Sequence, residues 1–249
     1  MAKNPLDLAA RWHQTVHLNT CEKYKDLKKD ILENPRGCVA LEFDYTQNLP
    51  LPKLNNTSQF YKRLLWQYVF NVHRHGEEHP RSTLYMYLEG EGAKNSSAVV
   101  SMVYTEITAT LRAPQFGTTA KVILFSDACG GQNKNVNVSK FLSYVAQTLS
   151  IVIEQVSPVP VRGHSYCHCD INFSHYSGPV KHRARITHWK TYMEIMVACK
   201  TSEGTVPFHV TKDTTVLKDV QVLTQQMFIK NTPNRRSDNI KIQQYVRLR

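Results

Sequence analysis

The spacing of apolar positions changes several times along this chain, and each change marks a predicted element. Short runs rich in β-branched and aromatic residues, such as CVALEFD at 38–44, are typical of buried strands. Apolar residues three or four positions apart predict helices that bury one face. The predicted order is a helical segment at 5–33, strands at 38–44, 59–74 and 83–89, a helix at 97–111, a strand at 121–126, a helix around 138–149, a strand at 150–160, and helical material near 186–199.

Three leading strands with short links predict an antiparallel meander, and the alternation of helix and strand that follows predicts parallel pairs. Together they predict an α/β protein with a mixed five-stranded sheet flanked by helices. By topological analogy this is the ribonuclease-H-like architecture, although an analogy of fold does not establish function. We expect a catalytic-type domain at 38–200, preceded by a helical extension at 1–37 and followed by a strand or tail extension at 201–249.

The overall charge adds a partner class to this picture. Lys and Arg number 31 against 20 Asp and Glu, which gives a net charge of +11 and favours a polyanionic partner such as DNA. No apolar run reaches the ~18 residues that a membrane helix needs, and the N-terminus lacks the apolar core of a secretory signal. The six cysteines are irregularly spaced, so we expect reduced thiols and a nuclear or cytosolic protein that is not secreted.

An acidic residue, Asp127, ends the apolar strand at 121–126 and precedes a Gly-Gly-Gln-Asn-Lys-Asn turn. A buried carboxylate is costly unless it is paired or bound to a metal, so Asp127 is a candidate metal ligand or acid/base group. The alternative is a residue that caps the turn. Within the turn, Gln132, Asn133 and Lys134 are candidates either for phosphate contacts or for capping the next helix.

Two other acids lie at the ends of predicted core elements, Asp44 after the first strand and Asp170 after the fifth. The first and fourth strands are neighbours in the proposed sheet, so Asp44 and Asp127 are expected side by side. Adjacent carboxylates repel unless cations hold them, and Mg²⁺ or Mn²⁺ suits such oxygen ligands. Two such ions can serve phosphoryl transfer. Glu42 shares a strand face with Asp44 and is either an extra ligand or, as the weak general argument favours, a solvated or salt-bridged glutamate.

A cluster of histidines and cysteines lies near Asp170, at His164, Cys167, His168, Cys169 and His175. The cluster lacks the paired CxxC spacing of structural zinc sites, so structural zinc is not expected. Cys129 and Cys169 lie next to the candidate aspartates Asp127 and Asp170, and buried packing is the favoured interpretation of these two cysteines.

Basic residues interleaved with aromatic ones follow Asp170, and this pattern suits a nucleic-acid backbone groove. A solvated helix face is the equally weighted alternative. The candidate nucleic-acid contacts are Lys134, Lys181, Arg183, Arg185 and Lys190.

Four blocks in consistent order, FDYTQNLPLPKL, FYKRLLWQYVFNVH, FSDACGGQNKN and GHSYCHCDINF, span roughly residues 38–200 with the segments around them. This combination resembles a transposase-derived domain family of unknown function that is widespread in insects and other animals. Its members are similar to DDE/D-type, ribonuclease-H-like transposases and integrases. The resemblance implies a Mg²⁺-dependent polynucleotidyl transferase or endonuclease that acts on DNA, with Asp44, Asp127 and Asp170 as the acidic triad and His164 beside it. Self-association into a homo-oligomer is left open.

One departure from the family pattern keeps a second hypothesis open. Relatives tend to continue after the Cys-Asp pair as a helix with a glutamate seven positions on, where this chain has Ser177. The adjacent Gly178-Pro179 is expected to break a helix. The alternative function is therefore a domesticated or decayed, catalytically inactive domain that binds DNA or protein.

Overall fold

The fold is described by a computed structural model. The described residues are 38–54, 63–75, 82–113, 121–127, 129–157, 167–226 and 247–248, together with isolated helical positions at 22, 25, 26, 29 and 33. Most of the predicted helix at 5–33 and the candidate residue His164 therefore lie outside the described residues.

Ten strands and five helices make up the described fold. The strands are β1 (Cys38–Tyr45), β2 (Leu49–Leu51), β3 (Lys53–Leu54), β4 (Leu65–Arg74), β5 (Ser82–Leu88), β6 (Lys121–Ser126), β7 (Val152–Val156), β8 (Arg185–Ile186), β9 (His209–Thr211) and β10 (Arg247–Leu248). The helices are α1 (Ser96–Arg112), α2 (Val136–Leu149), α3 (His168–His182), α4 (Trp189–Val197) and α5 (Gln221–Gln226), with a 3-10 turn at Thr214–Val216.

Most of these strands form one mixed sheet in the order β10-β7-β6-β1-β4-β5-β9. The strands β1, β4 and β5 pair antiparallel, whereas β1 pairs parallel with β6, and β6 with β7. The predicted α/β class, with a mixed sheet flanked by helices, is confirmed. The sheet is larger than the predicted five strands, because β2 pairs with β4 while β9 and β10 of the C-terminal segment extend its two edges.

Helices cover both faces of the sheet. Alternation along β1 turns Val39, Leu41 and Phe43 towards one face, where they share a buried apolar cluster with α1 and α2. On the opposite face a second cluster joins α3 and α4 to β4 and β5. Glu42 and Asp44 alternate with the first set, so both acids lie on the α3 face of the central strand.

Helix α3 contradicts the predicted break at Gly178-Pro179, since it runs from His168 to His182 with Pro179 inside it. A proline in a helix removes the hydrogen bond to the carbonyl four residues earlier, here that of His175. The Cys199 thiol donates to this carbonyl at 3.4 Å and compensates part of the loss. Only three residues follow Pro179 in the helix, so the perturbation is confined to its last turn.

Candidate active site

Two aspartates meet where the parallel strands β1 and β6 end. The register pairs Cys38 with Lys121 and continues to Phe43 opposite Ser126, so the next residues along each strand are Asp44 and Asp127. Partners in a parallel pair point to the same face of a sheet. The first and fourth predicted strands are therefore neighbours, as predicted. The Asp44 and Asp127 side chains are both half-buried.

The Asp44 carboxyl is affected electrostatically by both of the other acids. The pKa of the Asp44 carboxyl is raised to about 7. Burial has the largest effect, and the charge of Asp127 adds to it, while the hydrogen bond from the Tyr45 N–H opposes the shift by a smaller amount. Asp170 adds a smaller effect in the same direction. Two other carboxylates thus act on Asp44 at this end of the sheet, and a cation would relieve the repulsion.

Asp170 is supplied by the first turn of α3, where an acidic side chain is also favourable for the helix dipole. Helix α3 packs on β1 and β4, which brings its N-terminal turn towards the end of β1. The Asp170 side chain is exposed, in contrast to the half-buried Asp44 and Asp127. The third acid is therefore the most accessible of the three.

The turn after β6 holds the Asp127 carboxylate in place. Asn133 donates its side-chain amide to Asp127 Oδ1, and the Cys129 N–H donates to the same oxygen at 3.1 Å. Asn133 is fully buried, and its carbonyl accepts a 2.7 Å hydrogen bond from Gln155 on β7. The turn is thereby fastened both to the aspartate and to the sheet, and Asn133 acts as a support of Asp127.

The remaining turn residues differ from one another in exposure. Gln132 is half-buried, whereas Lys134 is only 2% exposed and burial lowers the pKa of its ammonium group. The side chain of Asn135, not of any of the three candidates, caps α2 by accepting from the Val138 N–H at 3.0 Å. The capping alternative for Gln132, Asn133 and Lys134 was therefore wrong, and the burial of Lys134 sets it apart from the exposed basic residues.

Lys94 is a cation beside the aspartates that sequence reasoning missed. Its ammonium group donates to Asn48 Oδ1 at 2.9 Å and to the Thr46 carbonyl at 3.3 Å. Burial lowers the pKa of Lys94, while the charges of Asp44 and Asp127 oppose that shift. Lys94 lies fifty positions from Asp44 in a loop before α1, so no local sequence pattern connects the two.

The predicted basic residues from the last turn of α3 to the first turn of α4 are exposed, as a nucleic-acid contact requires. These residues are Lys181, Arg183, Arg185 and Lys190. Strand β8 pairs with β3 in a small two-stranded sheet, and the Lys53 ammonium donates to the Arg183 carbonyl at 2.6 Å. This pairing holds the basic segment against β3, which follows β1 and β2 along the chain. Strand β1 carries Asp44.

The predicted His/Cys cluster does not form one group in the described residues. Cys167 and Cys169 are buried, and Cys167 caps α3 by accepting from the Cys169 N–H at 3.4 Å. His175 lies beside Phe208 instead. The favoured packing interpretation agrees with the burial of Cys169, whereas Cys129 is half-buried.

His168 belongs to a different group, with His73 and His75. The candidate ligand atoms of these three histidines all lie within 4.8 Å of one another. The described residues contain one such group of three or more His, Cys, Asp or Glu side chains, and this is it. Sequence reasoning missed His73 and His75, although their spacing of two residues was a usable signal. Glu42 joins this group, since its Oε2 lies 3.1 Å from His75 Nε2 and 3.3 Å from His168 Nδ1.

Comparison with models of protein families, with curated proteins and with solved structures found no match for this chain. In the part of the chain that the structure describes, no helix is both long and apolar enough to cross a membrane.

Proposed function

We propose that this chain is a DDE/D-type transposase or integrase-like domain with a ribonuclease-H-like fold. Its reaction is metal-dependent phosphoryl transfer on DNA, with Asp44, Asp127 and Asp170 as the acidic triad. The strand order β5-β4-β1-β6-β7, with its antiparallel and parallel halves, supports this fold assignment. The observation that carries the proposal is the β1–β6 register, which makes Asp44 and Asp127 neighbours on one face.

The donor set fits a hard divalent cation. Three carboxylates offer oxygen ligands, and the raised pKa of Asp44 reports negative charge that burial leaves poorly compensated. Asp44, Asp127 and Asp170 would hold Mg²⁺ or Mn²⁺, which when bound assists an attacking hydroxyl and stabilises a leaving oxygen. The protein itself orients Asp127 through Asn133 and Cys129 and places the Lys94 ammonium beside the acids.

Helix α3 links the acids to the basic segment. Asp170 lies in its first turn and Lys181 in its last, eleven residues apart, which corresponds to about 16 Å along a helix. DNA rises ~3.4 Å per base pair, so the exposed cations lie about five base pairs from the acids. This spacing supports a duplex or strand that contacts both, in agreement with the net charge of +11.

A catalytically inactive, DNA-binding domain of the same fold is the second candidate. Two observations favour it. Asp127 already accepts two hydrogen bonds from the protein. Among the described residues, the side chains whose candidate ligand atoms all lie within 4.8 Å of one another are three histidines, not the three aspartates. This second candidate predicts salt-sensitive DNA binding without cleavage.

Cleavage of labelled DNA by the full chain in Mg²⁺ or Mn²⁺ tests the proposal. We expect divalent-cation-dependent nicking or strand transfer that falls by about 100-fold or more in Asp127→Asn, because the variant replaces a carboxylate that would hold the metal ion with a neutral amide. Glu203→Gln is the matched control, since it makes the same acid-to-amide change at an exposed residue after α4.

Equal activity in Asp127→Asn and wild type would overturn the assignment of the site. DNA binding without any cleavage by the wild-type chain would instead favour the inactive alternative. Absence of DNA affinity at low salt would count against both.

A further inference from the structure

Three imidazoles converge on the α3 face of the sheet, at the opposite end of α3 from the basic segment. His73 is on β4, His75 directly follows β4, and His168 is the first residue of α3. The rings of His73 and His168 stack with centroids 4.8 Å apart, and His75 meets both edge-on at 4.8 and 4.9 Å. One candidate ligand nitrogen from each ring lies within 4.8 Å of the other two.

The Glu42 carboxylate lies against two of these imidazoles, those of His75 and His168. Glu42 Oε2 lies 3.1 Å from His75 Nε2 and 3.3 Å from His168 Nδ1. Two ligands of a tetrahedral zinc ion, each bound at about 2.0–2.2 Å, lie roughly 3.3–3.5 Å from each other. The Glu42 carboxylate is therefore about as close to these two rings as two ligands of one zinc ion are to each other.

Burial makes charge compensation necessary here. The Glu42 side chain is 1% exposed and that of His75 is 4% exposed, so the carboxylate is removed from water. A buried carboxylate is costly unless a positive charge or a metal accompanies it. The His168 side chain is 42% exposed, which leaves a path from solvent to the group.

A second layer of polar groups orients His73. The Ser82 hydroxyl lies 2.7 Å from His73 Nδ1 and holds this ring in place. Asn172 on α3 in turn donates its side-chain amide to Ser82 Oγ at 2.7 Å and to Asn71 Oδ1 at 2.8 Å. Metal-bound histidines usually have their second ring nitrogen held in this way.

We propose that His73, His75, His168 and Glu42 bind one Zn²⁺ ion, separate from the aspartate site. Three imidazoles and a carboxylate suit zinc, whereas Mg²⁺ prefers oxygen ligands alone. The ion joins β1, β4 and the first turn of α3. Because His168 and Asp170 share that turn, the zinc ion fixes the segment that carries the third acid.

Metal analysis of the full chain tests this proposal. We expect one equivalent of zinc per chain after metal removal, reloading with Zn²⁺ and desalting, and Co²⁺ loading should give the visible absorption of a four-coordinate site without thiolate bands. His168→Ala should bind Zn²⁺ at least about 100-fold more weakly, since loss of a ligand exceeds the 10- to 100-fold effect of losing a supporting contact. His182→Ala, at the exposed far end of the same helix, is the matched control and should bind as the wild type does.

A zinc-dependent rise in the thermal midpoint of the wild type, absent from His168→Ala, gives a second readout. The wild-type Co²⁺ spectrum needs no variant, so misfolding of His168→Ala leaves the test intact. Failure of wild type to retain zinc, equal affinity in His168→Ala, or thiolate bands in the Co²⁺ spectrum would overturn the proposal. Zinc binding without DNA cleavage would leave it standing and would count only against the proposed enzyme.

Discussion

Glu42 and Asp44, two residues apart on β1, share a face of the sheet but have different surroundings. Glu42 lies among imidazoles, which can supply positive charge or share a metal with it. Asp44 is half-buried beside two carboxylates, with Lys94 as a nearby cation, and burial followed by the charge of Asp127 raises its pKa to about 7. In the two proposals these acids therefore belong to separate sites that bind different cations.

The raised pKa of Asp44 predicts a pH-dependent stability. At a pH between 3.8, the usual pKa of the carboxyl, and about 7, its pKa in the folded protein, folded Asp44 keeps a proton that the unfolded chain has released. The unfolding free energy therefore falls as the pH rises through this window, and the contribution is lost above pH ~7. Urea denaturation in magnesium-free buffer should show wild type losing on the order of 1–3 kcal/mol more than Asp44→Asn between pH ~5 and ~8.

Added Mg²⁺ should recover part of this loss in wild type at the higher pH, because it favours the charged carboxylates. Parallel pH profiles for wild type and Asp44→Asn would contradict the crowding of acids at this position.

Individual site residues differed in how far they could be predicted from sequence. Asp127 was identified because an acid at the end of an apolar strand is unusual, and Asp44 because it ends the neighbouring strand. Lys94 and the pair His73 and His75 acquire their roles only from contacts with residues distant in sequence. Such contacts depend on tertiary packing, which no local pattern encodes.

At the scale of elements, α3 connects the candidate sites of this face. Its first turn carries His168 and Asp170, and its last turn leads into the exposed basic segment. The local rule that proline breaks helices predicted that α3 would end before Pro179. The rule failed because the proline falls in the last turn and Cys199, from the end of α4, takes over the exposed carbonyl.

The basic segment predicts a specific change in DNA affinity. Arg183→Glu should weaken binding to duplexes of any sequence and lower the slope of log affinity against log salt by about 1, as expected for loss of one phosphate contact. Arg112→Glu is the control, because it reverses an exposed arginine on α1, across the sheet.

Fluorescence anisotropy over a series of salt concentrations measures both quantities. Equal losses in the two variants would show that net charge alone, rather than the segment after α3, governs binding.

At the scale of the whole molecule, the predicted meander and parallel pair form the middle of the sheet. The apolar patterns of strands and helices extend over enough residues there to predict each element. The additions at the edges were not predictable, because β9 has three residues and the described part of β10 has two. Strands this short form only because the edge of a larger sheet offers them hydrogen-bond partners.

The position of the acids follows from that central topology. Parallel pairing of β1 with β6 puts Asp44 beside Asp127, and α3 crosses the same face to deliver Asp170. The central claim is therefore that these three carboxylates form a site for divalent cations.

Anomalous scattering from Mn²⁺ in crystals of the full chain tests this claim most directly. We expect an anomalous peak between the Asp44 and Asp127 carboxylates that is absent from Asp127→Asn crystals treated in the same way. Saturating Mn²⁺ with no peak at these carboxylates, or with the same peak in Asp127→Asn, would contradict the account.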